Sequence, residues 1–328
     1  MKKRTLIITA VILLLAVGLS WFAISRSSGR VRVAGGARIG MYTEVMEDLV
    51  ALWSEHTGYR FGEVASSSGS KANITSQAQM LCDLAVCGAD YVSWARTGAN
   101  AMGGARAEAS AALCGLYTDY MQILVRADSD IKTLADLQQR TVMLDQGEST
   151  SYYNARTMLD KVGVYTVTTG TKFKNITALK GSFYDGLLAV QRGEADVVMG
   201  IRPLGDRYVT EALNDPENPL KMLSLDAGVT AGLTEPYFII EDVEIEGVKI
   251  KMAGVKTTLI VPYTMKDAQV TKLLETLCDN IGELKDVRGE DTSDRTREIG
   301  LEDLTKGFDR DLMHPAARAF FEGRGMLN

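Results

Sequence analysis

Residues 141–163 read TVMLDQGESTSYYNARTMLDKVG, and this stretch decides the fold. Thr141–Leu144 is a short apolar run of strand size. Gln146–Ser151 is polar and carries Gly147, which marks a loop. Tyr152–Val162 has the spacing of an amphipathic helix, and Gly163 is its stop signal. The unit is therefore strand, loop, helix. It recurs along the chain. Val31–Ala34 is a β-rich run that leads through Gly35, Gly36 and Gly40 to Tyr42–His56, where Val45, Leu49, Leu52 and Trp53 share one helical face before Gly58. Further on come a helix at Asn73–Leu81, a buried strand at Leu84–Cys87, a stronger strand at Tyr120–Arg126 and a small helix at Ile131–Leu137 capped from Asp128–Asp130. A helix at Tyr184–Arg192, stopped by Gly193, precedes a strand at Asp196–Met199. Such alternation predicts an α/β fold with sheets sandwiched between helices.

The whole chain of 328 residues has room for one large domain or two lobes, each with its own core. It is 46% apolar and 24% charged, which excludes general disorder and a disulfide-dense miniprotein. An acidic pI near 5.2 argues against nucleic acid as a partner. Two His make a multi-His metal site improbable, and no cofactor motif is present.

Lys2, Lys3 and Arg4 precede an uncharged, mostly apolar run from Thr5 to Ser25 that Arg26 ends. This pattern predicts a signal peptide or an uncleaved anchor over residues 1–30, because the run is long enough to span a bilayer. Residues 1–30 hold five basic and no acidic side chains, so of the net charge of −6 the remainder carries −11. The expected location is periplasmic or extracytoplasmic, with membrane contact only through residues 5–25. Cys82 and Cys87 lack a second nearby pair, so zinc is a weak reading, and the four Cys are expected as buried free thiols.

Three loops lead into helices: Gly36–Tyr42, Ser67–Ser70 and Gly147–Ser151. Small residues at a helix start leave backbone N–H groups pointing outward along the helix dipole, an arrangement suited to anions. Catalysis lacks machinery by comparison. His56 closes a helix beside Gly58 and His314 precedes Pro315, so both read as structural, and no base stands beside a nucleophile.

Taken together, Gly36-Ala37-Arg38-Ile39-Gly40-Met41-Tyr42, Ser68-Gly69-Ser70-Lys71-Ala72-Asn73, the Asp83–Asp90 stretch, the segment from Tyr117 to Leu137 with DSDIKTLADL, the Gly147–Ser151 loop and His314–Glu322 resemble the TAXI family of TRAP-transporter solute receptors. The resemblance implies a non-enzymatic extracytoplasmic binding protein with the two-lobed, type II-like periplasmic-binding-protein fold and no cofactor. Lobe I would be 31–122 plus 256–328, and lobe II 123–255, with Tyr120–Arg126 and Thr257–Pro262 as hinge crossings. The ligand would be a small carboxylate of the glutamate or 2-oxoglutarate type, and the membrane partner a TRAP permease.

By the same resemblance Gly40, Met41 and Tyr42 offer backbone donors to a carboxylate. Ser68, Ser70 and Asn73 supply polar contacts, Asp90 sits at the cleft edge, and Ser149, Thr150 and Ser151 grip from lobe II. Arg202 follows a strand and is a candidate fork onto a carboxylate, as is Arg38, or either is a surface cation. The sequence departs from the family in its first loop, where Ile39-Gly40-Met41-Tyr42 replaces paired Gly and a Thr-Tyr-Tyr run. Tyr237 and Phe238 are further candidates for the cleft wall. The alternatives are an ABC-importer component or sensor of similar fold, and a two-lobed transferase or deaminase.

Overall fold

The computed structural model describes residues 29–145, 149–166, 172–173 and 175–327. The expected leader or anchor lies outside these residues except for its last two. Among the described residues no helix is long and apolar enough to cross a membrane.

In chain order the strands are β1 Arg30–Val31, β2 Val33–Ala34, β3 Arg60–Phe61, β4 Leu84–Gly88, β5 Ser110–Arg126, β6 Thr141–Leu144, β7 Tyr165–Thr166, β8 Lys172–Phe173, β9 Thr177–Lys180, β10 Val197–Arg202, β11 Leu220–Met222, β12 Phe238–Ile245 and β13 Val248–Pro262. The main helices are α1 Met41–His56, α2 Ser70–Ala78, α3 Ala89–Thr97, α4 Thr150–Lys161, α5 Phe183–Gln191, α6 Arg207–Leu213, α7 Ala227–Gly232, α8 Asp267–Asp279 and α9 Pro315–Gly323.

Two long antiparallel strands, β5 and β13, form a spine shared by both halves of the molecule. The sheet order is β2-β4-β13-β5-β10-β6-β9, with β11 on β5 and β12 on β13. Both spine strands change partners midway. β13 pairs with β12 from Val248 to Val255 and with β4 from Thr257 to Ile260. β5 pairs with β10 from Tyr120 to Val125, and its earlier half pairs with β13. A register shift at Lys256–Thr258 marks the changeover, as a bulge that bends a strand would. Gly254 sits beside it because a Cβ there would lie 2.4 Å from Thr118 Cγ2. The two segments expected as crossings, Tyr120–Arg126 and Thr257–Pro262, lie on β5 and β13, and each strand is more than twice as long as the sequence suggested.

The predicted face of α1 is buried, and the Trp53 indole donates to the Leu273 carbonyl on α8 at 3.0 Å. Full burial of such large side chains contributes about 1.5–3 kcal/mol each. A second cluster around Phe183, Leu187, Val190, Val198 and Leu220 fills the far side of the β10 half. Two local expectations need correction. The helix near 131–137 is a single 3₁₀ turn, Leu134–Leu137, capped by Thr133 and Asp136 rather than from Asp128–Asp130. Those aspartates precede the turn by too many residues and pair instead with Arg126 and Arg140. The second helix begins at Ser70, three residues earlier than read, with Gly69 at its N-cap. All four cysteines are buried and free, as expected.

Candidate functional site

α1, α2 and α4 all begin at the edge where the two halves of the sheet meet. Gly40 and Gly69 are the N-caps of α1 and α2, and neither helix has a side-chain cap. α4 is capped by Ser149, whose Oγ accepts from the Tyr152 N–H at 3.0 Å. Sequence explains the difference: glycine has no side-chain oxygen to offer the first turn, whereas serine does.

A cavity of about 260 Å³ lies between these starts. One wall is Met41 and Tyr42 with Gly88 at the end of β4, and the opposite wall is Ser149, Thr150 and Ser151 with Ile201 and Arg202 from the end of β10. Asp145 and the spine residues Asp119 and Val255–Thr257 complete it. Two further hollows share the Tyr42 wall. One, of about 370 Å³, runs along Ser68, Ser70, Lys71 and Tyr91 to Ser149 and Thr150. The other, of about 220 Å³, lies between Gly36–Tyr42 and Ser67–Gly69. The larger surface hollow of about 680 Å³ beside Arg30, Arg60 and Lys266 touches none of these helix starts.

Nine of the eleven predicted residues therefore line one connected region: Gly40, Met41, Tyr42, Ser68, Ser70, Ser149, Thr150, Ser151 and Arg202. Several hydroxyls are already bonded within the protein. Ser70 Oγ accepts from the Gly88 N–H at 3.0 Å and lies 3.4 Å from the Tyr42 hydroxyl. Ser151 Oγ accepts from the Ile201 N–H at 2.9 Å. Gln146–Glu148, the rest of the expected lobe II loop, lie outside the described residues.

Two predicted residues line none of the three hollows. Asn73 is fully buried and donates from Nδ2 to the Gly35 and Val86 carbonyls, each at 2.7 Å. Through these two bonds it ties the first loop to β4. Asp90 is also fully buried, and its oxygens accept from the Tyr91 N–H and from Asn154 Nδ2, each at 2.8 Å. Of the additional candidates, Arg38 lines a different surface hollow with Glu47 and Glu63. Tyr237 is buried against Trp94, 6.1 Å away edge-on.

The charges on the cavity wall are held by neighbours. Arg202 donates to the Ile201 carbonyl at 2.7 Å and to Asp145 at 3.2 Å, and its guanidinium lies 4.6 Å from the Phe183 ring. Asp119 accepts from Arg295, which also bonds the Thr118 carbonyl. Burial raises the Asp119 pKa, while Arg295 draws it back. Burial lowers the Lys256 pKa, and its Nζ reaches Asp303 and Thr118 rather than the cavity. Asp119 and Asp145 were missed from sequence, although a charge inside the strand run Tyr117–Arg126 was the available signal.

The NMT1-like family model matches residues 33–325. The chain belongs to the NMT1-like family. This NMT1-like chain is similar in structure to XAC2383 from Xanthomonas citri bound to ATP, at 14% identity over 90% of this chain and 99% of that one, with a TM-score of 0.54. A TctC solute binding protein from Polaromonas gives 14% identity, 90% and 96% coverage and a TM-score of 0.54. The periplasmic aliphatic sulphonate binding protein SsuA from Escherichia coli gives 15% identity, 90% and 88% coverage and a TM-score of 0.50. At these identities the likeness establishes the fold: an α/β chain of the two-lobed periplasmic-binding-protein type.

Proposed function

We propose that this NMT1-like chain is an extracytoplasmic solute-binding receptor of the TAXI type that captures a small organic anion between its lobes and delivers it to a TRAP-type permease. One observation carries the reading. The start of α1 and the start of α4, more than 100 residues apart, wall the same 260 Å³ cavity from opposite halves of the sheet. Two helix N-termini converging there supply N–H donors and positive dipole ends to an anion. The lobes would be 31–122 plus 256–328 and 123–255, in keeping with the partner change of both spine strands near Thr118–Tyr120 and Val255–Thr257. Residues 1–30 would serve as leader or anchor.

The wall chemistry refines the ligand. Asp119 and Asp145 both line the cavity, and Arg202 is already matched by Asp145. Both expected ligands carry two carboxylates and differ only where one has an ammonium and the other a keto oxygen; beside Asp119 and Asp145 the ammonium would meet acceptors and the keto oxygen would not. Of the two ligand types expected, glutamate therefore suits the wall better than 2-oxoglutarate.

A thermal-shift and calorimetry panel of amino acids, keto acids, dicarboxylates, sulphonates and nucleosides tests this. A small carboxylate is expected to raise the melting temperature by mass action, the amino acid more than its keto analogue. A panel in which no small anion stabilises the protein defeats the proposal. Tight binding of an alkylsulphonate alone would favour the ABC-importer reading, which shares the fold.

A further inference from the structure

We infer that Asp90 and Asn154 form a latch between the lobes that carries the start of α4 to the cavity, and so act as positioning residues for ligand capture. The inference rests on the receptor reading above and assigns Asp90 a role other than ligand contact.

The geometry is specific. Asp90 lies in the first turn of α3, which packs on β4, β5 and β13, while Asn154 lies on α4, which packs on β6 and β10. Both side chains are fully buried. One Asp90 oxygen accepts from the Tyr91 N–H and the other from Asn154 Nδ2. Asn154 Nδ2 donates in addition to the Thr150 carbonyl at 3.0 Å. Thr150 lines the ligand cavity, so the latch and the cavity wall share a residue.

Three features mark the contact as selected for its own sake. Gly88 leaves room for the carboxylate, since a Cβ there would lie 2.4 Å from Asp90 Oδ1. Asn154 Oδ1 is buried without a partner, so the amide is oriented by Asp90 at the expense of its own acceptor. Trp94 of α3 covers the contact. Its ring stands 5.5 Å from Tyr153 of α4 and 6.1 Å from Tyr237, and its N–H points to the Tyr237 hydroxyl at 3.4 Å. Aromatic cover keeps water out, which strengthens the hydrogen bonds inside.

The bonds exist only while the lobes touch. Separation hydrates Asp90 and Asn154 and withdraws Ser149–Ser151 from Met41 and Tyr42. The latch thus biases the population toward the binding-competent arrangement, and its loss lowers affinity for every ligand by the same factor.

Three proteins test this at pH 7.5: the native chain, Asn154→Asp, which sets a second carboxylate against Asp90, and the exchange variant with Asp90→Asn and Asn154→Asp together. Small-angle scattering without added solute is expected to match this structure for the native and exchange proteins, and to show separated lobes for Asn154→Asp. Calorimetry with L-glutamate and 2-oxoglutarate is expected to show both affinities falling about 100-fold in Asn154→Asp, with their order unchanged, and recovering in the exchange protein. Where Asn154→Asp does not fold, Asn154→Leu takes its place with the same expectation. Identical scattering from all the proteins, an exchange protein that fails to recover, or an altered order of the two ligands overturns the latch. A native protein that binds neither solute counts against the receptor reading instead, and leaves the scattering series to decide the latch.

Discussion

Asp90 accepts from the Tyr91 N–H and Asn154 Nδ2 yet lies wholly away from water, and the second fact outweighs the first. Burial pushes its pKa up to about 6, with Asn154, Tyr91 and Thr150 drawing it back toward the ordinary value. In the unfolded chain it titrates near 4. Because the folded value is the higher one, its stabilising contribution is fully present below about pH 4 and is lost as the pH rises through 6. The shift corresponds to about 3 kcal/mol at most. The titratable groups facing it are Tyr42, Cys87 and Tyr237, and burial raises all three, so none titrates in that window. Asp90→Asn should therefore gain stability relative to the native protein between pH 4 and 6.5, with a constant difference above pH 7. Urea unfolding across this range measures it; parallel stability profiles would mean that Asp90 ionises normally in the folded protein.

The helices carrying the site depend on residues that serve the fold as much as any ligand. Ser149→Ala removes the α4 cap and should cost about 1 kcal/mol. Ser70→Ala leaves the Gly88 N–H buried without its acceptor and should cost about 1–3 kcal/mol. Thermal unfolding of each variant checks this, and unchanged midpoints would show that both hydroxyls are free for ligand. These helices were legible in the sequence within three residues, because Gly58, Ser149 and Gly163 are local signals. The spine was not. Ser110–Gly115 is a run of small residues without β-branched side chains, and it is a strand because it pairs with β13, far away in sequence. Phe238–Ile245, assigned to no element from the sequence, is the charged edge strand β12, where such residues deter further pairing. Asp119 was overlooked because the strand was read from Tyr120, ten residues after its start at Ser110.

At the scale of the molecule, the return of the chain to the first lobe is what fixes the cavity wall. Arg295, in the segment after α8, is almost wholly buried and reaches back to Asp119 and the Thr118 carbonyl where β5 changes partners. Its guanidinium also lies 4.5 Å from the Tyr117 ring. The C-terminal region therefore clamps the spine where the lobes join, and one carboxylate of the cavity is its anchor. Removing only the cation leaves Asp119 in a site that already disfavours its charge, so Arg295→Met should cost about 3–5 kcal/mol. Changing both, with Asp119→Asn added, removes the stranded charge and should return most of that loss. A double-mutant cycle by urea denaturation resolves the two. Additive losses would show the pair to be uncoupled. A coupling of several kcal/mol, joined with lower glutamate affinity in the Asp119→Asn single variant, would tie one carboxylate both to the clamp and to the ligand's ammonium.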